Sequence, residues 1–270
     1  MNDIITEEPI QDLTFELPKT TIATLHCNDR NAVFEVIDSL YEQTKNIPMW
    51  TILSQGCSKT HNDNIRKKLE SYGIQYDLIE IEQNMGWSRG MNTLYNYLAS
   101  NDYKFVFHLE DDWICTDIKS KDWLTNCLTY LVLNPNVSTL FLRKYLTEEE
   151  KIFYGWKRHI NYLCFKYPNP FMYNEKIKTE PKKEFRDITF RRIPEFLYTA
   201  NPTIFRLSDY LEKNVFPFPE FNDISNLQKE WKTTTNDNAP EWGCSEALSM
   251  EKIRDLICMN VDNGYFYHRF

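Results

Sequence analysis

The chain has 270 residues, 42% of them hydrophobic and 15% aromatic, which is enough to bury the core of one large domain. Its formal net charge of −8 argues against a nucleic-acid-binding protein, whose contact surface would be basic. The seven cysteines include no C-x-x-C pair, and no segment approaches the roughly 20 apolar residues of a membrane span. Neither a zinc site nor an integral membrane segment is therefore predicted.

The cellular location is predicted from the start of the chain and from the cysteines. Residues 1–10 are acidic and lack the cationic start and apolar stretch of a signal peptide. The odd number of cysteines suggests no disulfide framework, so a cytoplasmic protein is expected. The many Lys, Asn, Ile, Tyr and Phe residues are typical of a low-GC microbe or a large DNA virus.

Strands and helices alternate in the first part of the chain, after a loose polar leader at residues 1–18. Hydrophobic periodicity and turn residues mark each element. Strands are predicted at 20–25, 49–53, 76–81 and 105–109, and helices at 31–43, 62–72 and 88–99. This alternation predicts an α/β fold with a parallel sheet.

The second part of the chain is less regular. Its predicted elements are a helix at 123–133, a strand at 138–142, and helices at 206–214 and 244–257. Residues 143–198 are dense in aromatic and basic side chains without a sustained period, and they are interpreted as an irregular insert. We expect both parts to belong to one domain.

A polar cluster follows each of the four predicted strands. The fourth cluster is the acidic triplet Glu110, Asp111 and Asp112. Three adjacent carboxylates repel one another unless a cation lies among them, and such oxygen ligands suit Mg²⁺ or Mn²⁺. An isolated acidic triplet would fit a solvated loop equally well. Parallel strands, however, bring all four clusters to one edge of the sheet, which favours a bound cation and polyanion.

Four segments resemble glycosyltransferases of the GT-A fold, close to the broad family 2 type. The segment TIATLHCNDR resembles the family's first strand and loop, and VIDSLYEQT resembles its Ser-Leu-x-x-Gln-Thr segment. The segment NMGWSRGMN resembles the Asn-x-Gly segment before the third helix, and LEDD stands where the family has its D-x-D metal motif. The resemblance implies a Rossmann-like, mixed but mostly parallel central sheet flanked by helices. It also implies a nucleotide-sugar donor, expected to be a UDP-sugar, and Mn²⁺ or Mg²⁺.

The resemblance also assigns roles to individual side chains. Asp112 is the expected direct metal ligand, Glu110 binds the ion through water, and His268 completes the metal site. Asp111 is expected to reach the ribose or to share the ion. Gln55 stands where the family commonly has an acid that reads uracil. The expected nucleotide-sugar-binding residues are His26, Asn28, Arg30, Gln55, Arg89, Asn92 and Asp111.

Glu246 is the expected catalytic base of an inverting transfer. It lies in the first turn of the helix predicted at 244–257, where the family has a Glu-Asp pair, but Ala247 replaces the second acid. An ordinary first-turn Glu, favoured by the helix dipole, explains the position equally well, and Glu241 and Asp237 are alternative bases. The enzyme would transfer a hexosyl or N-acetylhexosaminyl group.

The resemblance divides the single domain into two halves. Residues 19–115 would bind the nucleotide sugar, and residues 116–270 would bind the acceptor. The acceptor is expected to be a glycan, a lipid-linked sugar or a glycoprotein, chosen by the insert at 143–198.

The sequence fits three other classes of protein less well. A non-catalytic nucleotide- or glycan-binding protein on a degraded fold remains an alternative, because acids are missing after the second strand and beside Glu246. A sugar-nucleotide pyrophosphorylase would carry a Gly-rich loop after the first strand, which is absent here. A dinucleotide dehydrogenase is disfavoured, since no G-x-G-x-x-G follows a strand.

Overall fold

The structure is a computed structural model, and it describes residues 17–144, 178–193, 202–218, 256–262 and 264–268. Its first part confirms the predicted alternation of strands and helices. The strands are β1 (Thr20–Cys27), β2 (Met49–Gln55), β3 (Tyr76–Ile81) and β4 (Phe105–His108). The helices are α1 (Ala32–Gln43), α2 (Lys59–Ser71) and α3 (Trp87–Ser100).

The second part of the chain extends the same sheet. It contains β5 (Trp113–Cys115), α4 (Trp123–Leu133), β6 (Val137–Phe141), β7 (Lys182–Phe185) and β8 (Ile188–Arg192). These are followed by β9 (Thr203–Arg206), α5 (Leu207–Glu212), β10 (Ile257–Val261) and β11 (Phe266–His268).

The main sheet has nine strands in the order β3-β2-β1-β4-β9-β6-β10-β8-β7. Strands β3, β2, β1 and β4 are mutually parallel. Strand β9 runs antiparallel between β4 and β6, whereas β6 and β10 are parallel. The sheet is therefore mixed but mostly parallel in its first half, which confirms the predicted fold class.

Two sequence predictions differ from the structure. The predicted helix at 244–257 extends too far, because Ile257 is the first residue of β10, while residues 244–255 lie outside the described part of the chain. Part of the supposedly irregular insert forms the hairpin β7–β8. Strand β7 is an edge strand whose first three residues are exposed and charged, so it lacks the alternating apolar pattern that identifies a strand.

Each face of the sheet is covered by its own hydrophobic layer. On one face, α1 buries an apolar stripe spaced by three or four residues, consisting of Val33, Val36, Ile37 and Leu40. Helices α2 and α4 contribute to the same layer. On the other face, α3 and α5 pack with the aromatic residues of 205–218. No helix in the described ranges has the length and apolar content to cross a bilayer.

A small second sheet connects the last strand to the end of β4. Strand β11 pairs antiparallel with β5, and this register sets His268 opposite Trp113. The chain enters β11 through Gly264, whose φ is +51° and whose N–H donates to Val261 O at 2.9 Å. A Cβ at this position would lie 2.1 Å from Arg143 O. The turn therefore requires glycine for both its dihedral angle and its close approach to the backbone.

The substitution Gly264→Ala is expected to destabilise the protein much more than Gly73→Ala. Both glycines have positive φ, but a Cβ at Gly73 would meet nothing within 4 Å. The control should lose about 1 kcal/mol of unfolding free energy from the dihedral alone, and Gly264→Ala about 3 kcal/mol or more. Urea unfolding of both variants measures the difference. Equal losses would show that the approach to Arg143 is readily relieved.

Candidate functional site

Polar side chains from three parallel strands and their loops meet at one edge of the sheet. His26 lies near the end of β1, Gln55 ends β2, and Asp111 and Asp112 follow β4. These strands are adjacent and parallel, so their carboxyl ends share this edge. The predicted convergence of the strand-end clusters is confirmed for these residues.

Asp111 is buried and both of its carboxylate oxygens are used within the protein. Its exposed fraction is 2%. Oδ2 lies 2.7 Å from His26 Nδ1, and Oδ1 accepts from Arg30 Nη1 at 2.8 Å. An ionised carboxylate can only accept hydrogen bonds, so His26 Nδ1 carries the proton of that contact. Asp111 thus anchors Arg30, and its predicted contact with ribose or an ion stays a prediction.

Asp112 has a different environment from its neighbour. Its Oδ2 accepts from Arg30 Nη2 at 2.8 Å and lies 3.3 Å from His268 Nε2. Its other oxygen, Oδ1, is buried and has no hydrogen-bond partner in the described structure. Burial acts to raise the pKa of Asp112, but His268 and Arg30 outweigh it and hold that pKa below its usual value. Asp112 is therefore an ionised side chain with one oxygen uncommitted.

This arrangement fits a divalent cation. A bound cation would satisfy a buried carboxylate oxygen that has no donor, and carboxylate and imidazole both bind Mn²⁺. The nearby Glu110 accepts from Trp113 Nε1 at 3.1 Å through Oε2. In the described ranges, no three His, Cys, Asp or Glu side chains are grouped to hold a metal ion. Phosphate oxygens and water would have to supply further ligands, as is common for Mg²⁺.

His61 belongs to the site but was not predicted from the sequence. It lies in the first turn of α2, where its N–H donates to the N-cap Ser58 Oγ at 3.2 Å. Its Nε2 lies 2.9 Å from His26 Nε2. Burial, and after it the charge of His26, lowers the pKa of His61. The predicted helix began at Asn62, and only Ser58 as a possible N-cap could have indicated that His61 was helical.

Three predicted nucleotide-binding side chains make internal contacts. His26 is fully buried between Asp111 and His61. The amide of Gln55 accepts from Met85 N at 3.1 Å and donates to Gly86 O at 3.2 Å. The amide of Asn92 pairs with the backbone N–H and C=O of Phe218. These contacts position neighbouring segments, and direct contact of the three residues with a donor stays a prediction.

The remaining predicted side chains are exposed at the edge or lie outside the described structure. Asn28, Arg30 and Arg89 are exposed. Asn28 has a φ of +56° and accepts from Asn84 Nδ2 at 3.3 Å, which links the loops after β1 and β3. Glu246 lies outside the described residues, as do the alternative bases Glu241 and Asp237.

Comparison with known proteins identifies the fold. No protein-family model matches the chain, and no curated protein matches its sequence. The crystal structure of S. aureus TarS 1–349 is similar with a TM-score of 0.55 and 14% identity, covering 93% of this chain and 60% of that one. The complex of TarS 1–349 with UDP-GlcNAc gives a TM-score of 0.54 and 15% identity, covering 93% and 58%.

The predicted GT-A type fold is thereby confirmed. This chain spans about three fifths of the TarS 1–349 chain with which it was compared. At these identities the likeness establishes the fold alone.

The lowered pKa of Asp112 predicts an acid-dependent contribution to stability. Because the folded pKa lies below the unfolded value of about 3.9, the contribution is complete above that pH and is lost as pH falls through the folded pKa. Asp112→Asn should cost about 1–3 kcal/mol of unfolding free energy at pH 7. Urea unfolding across the acid range should show that difference shrinking below about pH 4. A difference that does not change with pH would contradict this prediction.

Proposed function

We propose that this protein is a metal-dependent glycosyltransferase that moves a sugar from a nucleotide-sugar donor to an acceptor hydroxyl. One observation carries the proposal. At the carboxyl edge of a GT-A sheet, the ionised Asp112 has a buried, unpartnered oxygen beside His268 and Arg30. A cationic ligand with bound phosphates would satisfy that oxygen and would lie where ligands bind in such sheets.

The leaving group sets the electrostatic task of the site. Departure of a nucleoside diphosphate develops negative charge on its phosphate oxygens, and fixed positive charge lowers the barrier. A divalent ion held by Asp112 and His268 would supply part of this charge. Arg30 would supply another part, because its guanidinium is half-exposed and remains charged at all physiological pH values. Glu110 is proposed to assist through water.

We propose a UDP-sugar as the donor. A fold neighbour, TarS 1–349, has been solved with UDP-GlcNAc, which supports a donor of this chemical type. Asn28 and Arg89 are exposed near the same edge and would contact the ribose or phosphates. The transferred group would be hexosyl or N-acetylhexosaminyl. The acceptor would be a glycan, a lipid-linked sugar or a glycoprotein bound by the second half of the domain.

Glu246 is our proposed general base. It would remove the proton of the acceptor hydroxyl as that oxygen attacks the anomeric carbon, giving inversion. The alternative is a non-catalytic nucleotide- or glycan-binding protein, which the single acid at Glu246-Ala247 keeps open. The substitution Glu246→Gln separates the two functions. An enzyme would lose turnover but keep donor binding, whereas a binding protein would show no turnover to lose.

Asp112→Asn is expected to weaken Mn²⁺-dependent UDP binding and to reduce UDP-sugar turnover by roughly a hundredfold. The substitution keeps the shape of the side chain but removes the charge that a divalent ion requires. Calorimetric titration with UDP, with and without Mn²⁺, measures binding, and released UDP measures turnover.

Asp63→Asn is the matched control for Asp112→Asn. Asp63 is an acid that pairs with Arg66 on α2. Its substitution should leave both measurements unchanged. If Asp112→Asn retained the full Mn²⁺ effect on UDP binding, the proposed metal site would be wrong.

A further inference from the structure

Two histidines lie behind the acidic pair, and the resemblance assigns neither of them a positioning role. His61 Nε2 lies 2.9 Å from His26 Nε2, and His26 Nδ1 lies 2.7 Å from Asp111 Oδ2. Asp111 Oδ1 accepts from Arg30 at 2.8 Å. We call these four side chains the His61–Arg30 chain. It runs from the first turn of α2, through the interior, to a half-exposed guanidinium at the sheet edge.

The proton positions in this chain are constrained by Asp111. Because the carboxylate only accepts, His26 Nδ1 must donate to it. The contact between the two Nε2 atoms then needs one donor and one acceptor. A neutral His26 accepts from His61, and a protonated His26 donates to it. His61 therefore satisfies His26 in either state and holds the imidazole in the orientation that bonds Asp111.

The side chains of the His61–Arg30 chain are polar, which argues against a role in packing alone. Three of its members are nearly or completely buried, with 7% exposure for His61, 0% for His26 and 2% for Asp111. Apolar side chains of similar size would fill this space without the desolvation cost of buried polar groups. This desolvation cost is offset because the buried groups form hydrogen bonds with one another. Those hydrogen bonds also restrict the position of Arg30, which contacts Asp111.

Contacts in the first turn of α2 hold His61, at one end of the His61–Arg30 chain. Ser58 caps the helix and accepts from His61 N–H. The Ser58 N–H in turn donates to Asp29 Oδ1 at 2.8 Å, next to Arg30 in sequence. Phe34 contacts the His61 ring edge-on, with centroids 5.3 Å apart. These contacts leave His61 little freedom, so it can serve as a rigid support.

We propose that His61 is a positioning residue which, through His26 and Asp111, fixes the Arg30 guanidinium to receive the diphosphate of the donor. The inference rests on the proposed function, since it concerns the same site. In this arrangement Asp111 holds one end of the guanidinium while the other end contacts Asp112. Without His61, the imidazole of His26 loses its second contact, and Asp111 and Arg30 are less firmly held.

The test compares UDP with uridine, because only UDP carries phosphates. Binding of each is measured by calorimetry in the presence of Mn²⁺, and unfolding is monitored for every variant. His61→Phe removes the polar contact, and His61→Gln restores a side chain that can donate or accept. Arg30→Gln removes the guanidinium at the other end of the His61–Arg30 chain.

Arg66→Gln is the matched control in this experiment. Arg66 also bridges two acids, Asp63 and Glu80, but it lies outside the His61–Arg30 chain.

We expect the preference for UDP over uridine to fall roughly tenfold in Arg30→Gln and in His61→Phe. The preference should be retained in His61→Gln and in Arg66→Gln. The double variant His61→Phe/Arg30→Gln should lose no more than Arg30→Gln alone, because both substitutions act on one contact.

Other results would overturn the proposal in distinguishable ways. If His61→Phe lowers stability but keeps the full preference for UDP, His61 is only a packing residue and the proposed function stands. If His61→Gln loses as much preference as His61→Phe, a polar contact to His26 does not restore the site, and the proposed route through His26 and Asp111 is wrong while the proposed function stands. If the wild-type protein binds UDP no more tightly than uridine, the proposed donor site and this inference fail together.

Discussion

The candidate site depends on the burial of one charge, that of Asp111. Removing a carboxylate from water is costly unless its oxygens receive hydrogen bonds from the protein. Asp111 receives them from His26 on β1 and Arg30 in the loop that follows. This requires β1 and β4 to be neighbours, and their register pairs Ala23 with His108. The burial of Asp111 therefore depends on the order of the central strands, because that order brings His26 and Arg30 next to it.

The adjacent acids Asp111 and Asp112 have different roles because Asp111 is buried. Both oxygens of Asp111 are used to fix Arg30, whereas Asp112 keeps one buried oxygen without a partner. Two acids of the same type, side by side in sequence, thus differ in what they can bind. The side chain of Asp111 contacts the buried His26 on β1, whereas that of Asp112 contacts His268 on the last strand. Arg30 contacts both, and it offsets their mutual repulsion.

The sequence predicted the sheet edge better than the contacts made there. Runs of β-branched and apolar residues located β1 to β4, and polar residues after them located the edge. The hydrogen-bond partners of individual side chains were harder to predict. An amide such as Gln55 has the same donors and acceptor whether it binds a nucleotide base or the protein backbone. His61 was missed because its role comes from a neighbour 35 residues away in the chain. Strand β7 was missed because its charged edge hides the period of two.

The predicted proximity of His268 to the acidic triplet shows how distant segments complete one edge. His268 reaches Asp112 only because β11 pairs with β5, immediately after the acids. The turn before β11 packs its glycine against the backbone of Arg143, whose guanidinium lies 5.1 Å from the Trp113 ring centre. The small sheet thus holds Trp113, the residue that follows Asp112, in position. The geometry of the candidate metal site is therefore set from both sides, by buried histidines behind Asp111 and by the last strand beyond Asp112.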